Sequence, residues 1–410
     1  MASGILEREA RLKIVVTGAT GFVGRQLVPL LEQGGATVLL VGRDVEAIGR
    51  AFPGRDACGY ADIAERAKGF DRLVHLATVN SDANLSLEET RKVNVGLLAE
   101  VVDSARRAGI PEVVNISSVH ALREGALSAY ARTKREAAEW LRTAAGVRGI
   151  TLYLPPVHGD GWSGRLGVLN RLPRWLAQPL FHVAAALTPT VSVERLAGFI
   201  LRPETADTEL ILSDGQQRNL VYQGVKRGLD LVFALAIIAL LWWLLAIVWL
   251  LIRLQSPGPG IFAQTRVGQD GRTFTCYKFR SMKTGTVQAA TNEVSASAVT
   301  GIGHFLRRTK LDELPQVWNI LRNEVSLVGP RPCLPVQTSL VEERKKRGVL
   351  GLKPGITGLS QINGIDMSDP ERLAVSDARY LALQSLLLDA RIILATATGR
   401  GQGDRTAKAG

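Results

Sequence analysis

Two sets of residues in this chain have the types and spacing for chemistry. In the first, "YARTK", Tyr130 and Lys134 stand four apart and so share one face of a helix. A lysine there can lower the phenol's pKa, so that Tyr130 gives or takes a proton near neutral pH. Ser118, in "NISSVHA", is placed to hydrogen-bond a substrate carbonyl. An ordinary surface pair has the same spacing, so the neighbouring elements must discriminate. In the second set, Asp312 and Glu313 are adjacent acids among Arg266, Lys278, Arg280, Arg307, Arg308 and Arg331, interleaved with Gly-Pro turns. Arginines in fixed turns suit bidentate recognition of a diphosphate, and hard carboxylates beside phosphates suit Mg²⁺. Neighbours on a helix point about 100° apart, so the two acids cannot form one symmetric clamp. One would face the reacting atom while the other holds metal or positions its neighbour. Acids at a helix start, favoured by the dipole, are an equal reading of the same pair.

The elements that must carry the first set are legible. "RLKIVVTGATGFVGRQLVPLLEQGGATVLLVGRD" reads as strand, glycine turn, helix and strand, with Gly18, Gly21 and Gly24 at intervals of three. Such a turn lets the backbone approach a pyrophosphate, which then faces the helix N-terminus. Further units follow: "RLVHLAT" and "EVVNISS" as strands, "VNVGLLAEVVDSARRAG" and "SAYARTKREAAEWLRTA" as helices. The alternation predicts an α/β fold with a Rossmann-like, doubly wound parallel sheet. In that context the pair Tyr130 and Lys134 reads as functional.

"TGATGFVG", "HLAT", "NISSVHA" and "YARTK" resemble the extended, nucleotide-sugar branch of the short-chain dehydrogenase/reductase superfamily over about residues 12 to 215. The resemblance implies a catalytic triad of Ser118, Tyr130 and Lys134, with Ser117 as the alternative first member. It makes Gly18, Gly21 and Gly24 cofactor-binding and gives Asp62 the adenine. Arg43 stands where NAD-preferring members carry an acid; an arginine suits the 2′-phosphate of NADP(H), whereas Asp44 beside it would suit NAD. Val119 and His120 replace the Asp-Glu pair of sugar dehydratases, which argues against elimination. The expected reaction is reduction of a UDP-4-ketosugar, with a UDP-2-acetamido-2,6-dideoxyhexose as the most natural product. A 4-epimerase and a non-catalytic nucleotide-sugar module are the alternatives, the latter because the substrate lobe is short.

The second half resembles the monotopic polyprenyl-phosphate phosphoglycosyl transferases of bacterial surface-glycan synthesis. The matching stretches are "KRGLDL", "SPGPGIFAQTRVGQDGRTFTCYKFRSM", "RRTKLDELPQVWN", "SLVGPRP", "KPGITGLSQING" and "DARYL", in family order across about residues 225 to 395. The resemblance implies that Asp312 is the nucleophile on a UDP-sugar, giving a covalent phosphosugar intermediate and UMP, and that polyprenyl phosphate accepts the phosphosugar. Asp312 and Glu313 would lie at Mg²⁺. Lys278, Arg280, Arg308, Arg331 and Pro332 would bind substrate.

Between the halves, "LDLVFALAIIALLWWLLAIVWLLIRL" carries no charge from Leu231 to Ile252. As a straight helix those residues would measure roughly 33 Å, the thickness of a bilayer's hydrocarbon core. By length a spanning helix is the default. Cytosolic nucleotides for both halves, and positive flanks at Lys226, Arg227 and Arg253, instead call for both ends on one side. A re-entrant helix-break-helix is therefore expected, although Trp242-Trp243 replaces the Ser-Pro pair that bends the helix in relatives. A small, mostly α-helical domain with interfacial helices should follow; "YLALQSLLLDARIILATATG" reads as a core or interfacial helix. The expected domains are 1–219, 220–257 and 258–398, with a disordered tail at 399–410. The net charge of +12 fits an anionic membrane, and no motif supports nucleic acid. Cys58, Cys276 and Cys333 read as reduced thiols, and the charged N-terminal stretch lacks the apolar core of a secretory signal. The bacterial inner membrane, with both domains in the cytoplasm, is the expected location, and a homodimer the expected self-association.

Overall fold

The computed structural model describes residues 11–79, 85–123, 125–162, 164–202, 207–285 and 298–399. The proposed tail at 399–410 lies almost wholly outside these residues. The chain forms two compact units, Met1–Phe181 with Pro189–Asp214, and His182–Thr188 with Gly215–Gly410. The apolar helix is thus part of the second unit, where the sequence suggested a separate segment.

The first unit is built on strands β1 (Lys13–Thr17), β2 (Thr37–Val41), β3 (Ala57–Cys58), β4 (Arg72–His75), β5 (Glu112–Ser118) and β6 (Arg148–Leu154). A short pair, β7 (Val157–His158) and β8 (Val191–Ser192), lies apart, and β9 (Glu209–Ile211) completes the main sheet. The main sheet is parallel throughout, in the order β3-β2-β1-β4-β5-β6-β9. Alternation along each strand separates the two faces. Ile14, Val16, Leu40 and Leu152 pack against Leu27 and Leu31 of helix Phe22–Gln33 and against Leu196 and Ile200. Val15, Leu39, Leu73 and Val113 pack instead against Leu98, Val101, Ala105 and Leu141. Strand order reverses between β1 and β4, which opens a crevice at their C-terminal ends. The doubly wound parallel sheet expected from the sequence is present.

In the second unit, helix Leu220–Gln255 leads into an antiparallel hairpin of β10 (Ile261–Val267) and β11 (Thr273–Phe279). A short parallel pair follows, β12 (Ser326–Val328) with β13 (Gly355–Thr357), and helices Gly301–Thr309, Val317–Leu321, Pro370–Leu383 and Leu386–Ala397 surround them. The stretch read as one apolar helix near the C-terminus is two, divided at Gln384 and Ser385. Its Asp389 is buried, accepting bonds from Tyr222 and Tyr380 hydroxyls at 2.8 and 2.7 Å and pairing with Lys226 at 2.8 Å.

The expected helix-break-helix is corrected: a single α-helix of 36 residues runs through Trp242 and Trp243. Neither tryptophan removes a main-chain donor, so nothing interrupts the hydrogen-bond ladder. This is the one helix among the described residues long and apolar enough to cross a membrane. Both of its flanks nonetheless attach to the same unit. Arg227 donates to the carbonyls of Ile320 and Leu321, and the buried Asp230 carboxylate accepts from Leu327 N at 2.8 Å. Near the other end, Val248 and Ile252 pack with Phe279 and Leu306. Many of its other apolar residues, among them Val232, Leu235, Leu240, Trp242, Trp243 and Leu254, are exposed.

Candidate functional site

At the crevice of the first unit, Gly18 follows β1 with φ +73°, and a Cβ there would meet Ala77 N at 2.7 Å. At Gly24 a Cβ would meet Ala19 O at 2.5 Å, so only glycine lets the helix pack this closely on the turn. Gly21 is the N-cap of helix Phe22–Gln33 and supplies no side-chain acceptor. The first-turn amides are thus without a side-chain cap and face the crevice end of β1, as an incoming phosphate requires. These residues fit the pyrophosphate of a dinucleotide. Arg43, at the end of β2, is exposed. Asp44 caps the next helix, accepting from Ala47 N at 2.8 Å, which ties its carboxylate to its own backbone. Asp62 accepts from Gly59 N at 3.3 Å within its loop.

The structure brings Ser118, Tyr130 and Lys134 together at the end of β5. Tyr130 and Ser118 share a hydrogen bond; burial holds the phenol above its usual pKa while that bond pulls it down. Ser118 Oγ also accepts from His120 N at 3.3 Å. Lys134 is buried, donates to the Ile116 carbonyl at 2.9 Å, and is pushed down to about 7 by burial. The expected lysine-lowered phenol is therefore not what the residues show: Lys134 is turned to a main-chain oxygen and Tyr130 is governed by its own desolvation. Ser117, the alternative triad member, points its Oγ into the interior without a partner, as do Nδ2 of Asn115 and Nε2 of His75. Burial and then the Lys134 charge hold His75 down at about 3, and its Nδ1 lies 2.9 Å from Thr17 Oγ1.

Sequence reasoning missed Asn94. It sits in a π-helical turn, Lys92–Leu97, a distortion that recurs at functional sites. Its Oδ1 accepts from Thr78 Oγ1 at 2.8 Å and Val79 N at 3.1 Å, and its Nδ2 donates to Thr133 Oγ1 at 3.0 Å. Asn94 thereby links the loop after β4 to the helix bearing Tyr130 and Lys134. A polar residue between two valines in an apolar helix was the available signal.

In the second unit, Lys310 adopts φ +58° and turns the chain from helix Gly301–Thr309 into a 3₁₀ turn, Leu311–Gln316, that carries both acids. At three residues per turn their side chains diverge. Glu313 lies 2.8 Å from Lys278 Nζ on β11 and 3.6 Å from Arg331 in the loop after β12. Burial, then the Glu313 charge, raises Asp312 to about 6, while Lys278, Arg307 and Arg331 pull the other way. Asp312 is thus the protonatable member of a cationic, half-buried nest. Two hard carboxylates would give Mg²⁺ its protein ligands, since this ion keeps waters and takes phosphate oxygens for the rest. The donor set fits, and no larger cluster of ligating side chains occurs among the described residues.

Glycines fix the floor of this site. A Cβ at Gly329 would meet Lys353 O at 2.4 Å, and one at Gly358 would meet Gly329 O at 2.3 Å. "SLVGPRP" and "KPGITG" are therefore packed backbone to backbone. Arg331's carbonyl accepts from Arg344, itself paired with Asp377 at 2.7 Å in the interior, and the Pro332 carbonyl accepts from Arg266 at 3.0 Å.

Two expected substrate contacts stand apart from the acids. Arg280 is buried and gives its amino groups to the carbonyls of Pro257 and Ser256 and to Ser256 Oγ, all within 2.9 Å. It ties off the C-terminus of the long helix, where orphan carbonyls attract a guanidinium. Arg308 is exposed on helix Gly301–Thr309, whereas Arg307 is the neighbour that acts on Asp312. A helical residue and its successor face different ways, so only one of the two arginines reaches the acids.

Residues 221–401 match the family model described as bacterial sugar transferase, and residues 14–182 match the NAD dependent epimerase/dehydratase family. The "UDP-glucose:undecaprenyl-phosphate glucose-1-phosphate transferase" of Xanthomonas campestris pv. campestris is 40% identical over 189 residues. The match covers 42% of this chain and 38% of that protein, so the chain spans about two fifths of that relative's length. The "Exopolysaccharide production protein PSS" of Rhizobium leguminosarum bv. phaseoli is 37% identical over 201 residues, 44% of this chain and 98% of that protein. Among solved structures, the UDP-N-acetylglucosamine 4-epimerase from Bacillus cereus aligns at 18% identity and TM-score 0.38, over 50% of this chain and 78% of its own.

Proposed function

The chain belongs to the bacterial sugar transferase family, and on that premise we propose that its second unit transfers a sugar phosphate from a UDP-sugar to undecaprenyl phosphate or a similar polyprenyl phosphate. The relative from Xanthomonas campestris, by its name, catalyses such a transfer with glucose. The Asp312 carboxylate attacks the sugar-linked phosphorus. The bond from that phosphorus to the bridging oxygen breaks, and UMP leaves with the oxygen and its electron pair. A phosphate oxygen of the lipid then attacks the same phosphorus and displaces Asp312, leaving a polyprenyl diphospho-sugar. Lys278, Arg307 and Arg331 offset the charge that gathers on the phosphoryl oxygens. Mg²⁺, when bound by Asp312 and Glu313, supplies further charge neutralisation on the diphosphate.

The observation that carries this reading is geometric: Asp312 and Glu313 share one tight turn, with Lys278 2.8 Å and Arg331 3.6 Å from Glu313, and burial with the Glu313 charge raises Asp312 beside them. The test is intact-mass analysis of the chain incubated with UDP-sugars and no lipid acceptor. A hexose-phosphate adduct mapping to Asp312, absent in Asp312→Asn, is expected; UMP release by Asp312→Asn would overturn the reading.

For the first unit, the reading is reduction of a UDP-4-ketosugar with NADP(H), feeding the transferase. Asp44 is spent as a helix cap while Arg43 is exposed, which favours a cofactor carrying a 2′-phosphate. The nicotinamide, when bound, supplies the hydride. Tyr130 supplies the proton to the carbonyl oxygen, and Ser118 orients that oxygen. Incubation with UDP-4-keto-6-deoxy-GlcNAc should consume NADPH. Tightly held NAD with no consumption of added cofactor would point to epimerisation instead.

Membrane residence follows from helix Leu220–Gln255 and its exposed apolar face. With both flanks attached to one unit, that helix is read as lying on one side of the bacterial inner membrane, with both units in the cytoplasm.

A further inference from the structure

Helix Arg174–Leu187, between β7 and β8, is inside out. Its inward positions carry little. Ala177 is fully buried, and Phe181 packs on the rings of His158 and Trp162 at 4.7 and 5.6 Å between centroids. Its large side chains face solvent instead: Trp175 is 72% exposed, Leu180 47% and Leu176 38%. Leu172 at 38% and Val168 at 60%, in the preceding turn, extend the same patch. Residues 172, 176 and 180 recur every four, so they form one stripe, and 175 lies beside it. An outward stripe of this size on a soluble surface calls for a partner.

The charges around it select that partner. Between Asp160 and Glu194 the sequence holds three arginines and no acid, and Arg171 and Arg174, at the start of the stripe, are exposed. An apolar stripe led by tryptophan and flanked by cations alone is the composition of a helix that lies in a lipid interface. The cytoplasmic leaflet is anionic. We infer that residues 168–180 dock the dehydrogenase-like unit on an anionic lipid surface, as a membrane contact separate from the 36-residue helix. This goes beyond the proposed reactions and holds whichever of them the unit performs.

The test uses the full chain in nanodiscs containing phosphatidylglycerol. A spin label at Leu180→Cys reports immersion through its accessibility to oxygen and to a nickel chelate, with Arg50→Cys in the same unit as the reference. The three native cysteines are buried, which directs labelling to the introduced one. At position 180 oxygen should be several-fold favoured over the chelate, and at position 50 the order should reverse. Arg171→Glu together with Arg174→Glu should return position 180 toward water. A label at 180 as water-exposed as that at 50 overturns the proposal, as does an immersion that ignores the double charge reversal. Dipolar coupling between labels on two chains in one disc also overturns it, and assigns the stripe to self-association.

Discussion

Lys278 Nζ lies 2.8 Å from a carboxylate oxygen of Glu313, so the acid beside the proposed nucleophile is already neutralised by a lysine from the hairpin. Asp312 is left as the acid that titrates near neutrality. Removing the lysine with Lys278→Met should leave the Glu313 charge less compensated, with Arg331 3.6 Å away, and raise Asp312 further above 6. The acidic limb of UMP release against pH should then move upward, with a loss of rate at pH 7 of about tenfold or more, as expected for a charge-stabilising group. An unmoved limb would separate the lysine from Asp312.

The sign of the Asp312 shift makes a stability prediction. Its folded-state pKa, about 6, exceeds the unfolded value near 3.8, so the folded chain holds the proton more tightly. Stability is therefore lost as pH rises from about 4 through about 6, and the deficit is complete above that. Asp312→Asn should raise thermal stability at pH 8, by on the order of 1–3 kcal/mol, and change it little at pH 4. A substitution that removes activity while stabilising the fold is the pattern of a strained functional group.

Lys134 carries the opposite sign. Burial lowers it from 10.5 to about 7, so the unfolded chain binds the proton more tightly between those values and stability rises with pH across them. Lys134→Met should stabilise the cofactor-free chain at pH 7 and lose that advantage toward pH 10.5, read by thermal melting. Tyr130→Phe should leave melting almost unchanged but reduce NADPH oxidation by about 10²-fold or more, the usual contribution of a general acid.

Arg280 and Arg331 should behave differently although both were expected to bind substrate. Arg280→Lys cannot reproduce a fork to the Ser256 and Pro257 carbonyls. It should lower the melting temperature and leave the UDP-sugar KM of the folded fraction unchanged. Arg331→Lys should raise that KM with little change in melting. Equal effects on KM would return Arg280 to the substrate site.

The buried pair of Arg344 and Asp377 supports the same loop from behind, through the Arg331 carbonyl. Asp377→Ala strands a buried guanidinium and should cost about 3–5 kcal/mol in urea unfolding. Replacing both residues with apolar ones should recover much of that loss.

Sequence by itself determined what depends on local periodicity and on motifs that carry their own geometry. Short β-branched runs alternating with helices fixed a parallel sheet, and the glycine triplet placed the phosphate turn, with Gly18 and Gly24 at approaches that only a missing Cβ allows. Tyr130 and Lys134 were placed on one face by spacing alone, and the apolar run was visible from composition. The tertiary structure decided what depends on which group each polar atom finds. Arg280 and Arg307 look alike in sequence, yet one closes a helix and the other lies beside Asp312, because long side chains go to whichever oxygen the fold brings near. Lys134 meets a carbonyl of β5 through contacts no spacing predicts, and Asn94 became visible once its three partners converged. The continuous helix through Trp242 and Trp243, held at both flanks by one unit, is likewise a matter of packing partners distant in the chain. So is the outward stripe at Trp175, since periodicity shows that a helix has an apolar face but not whether that face turns inward.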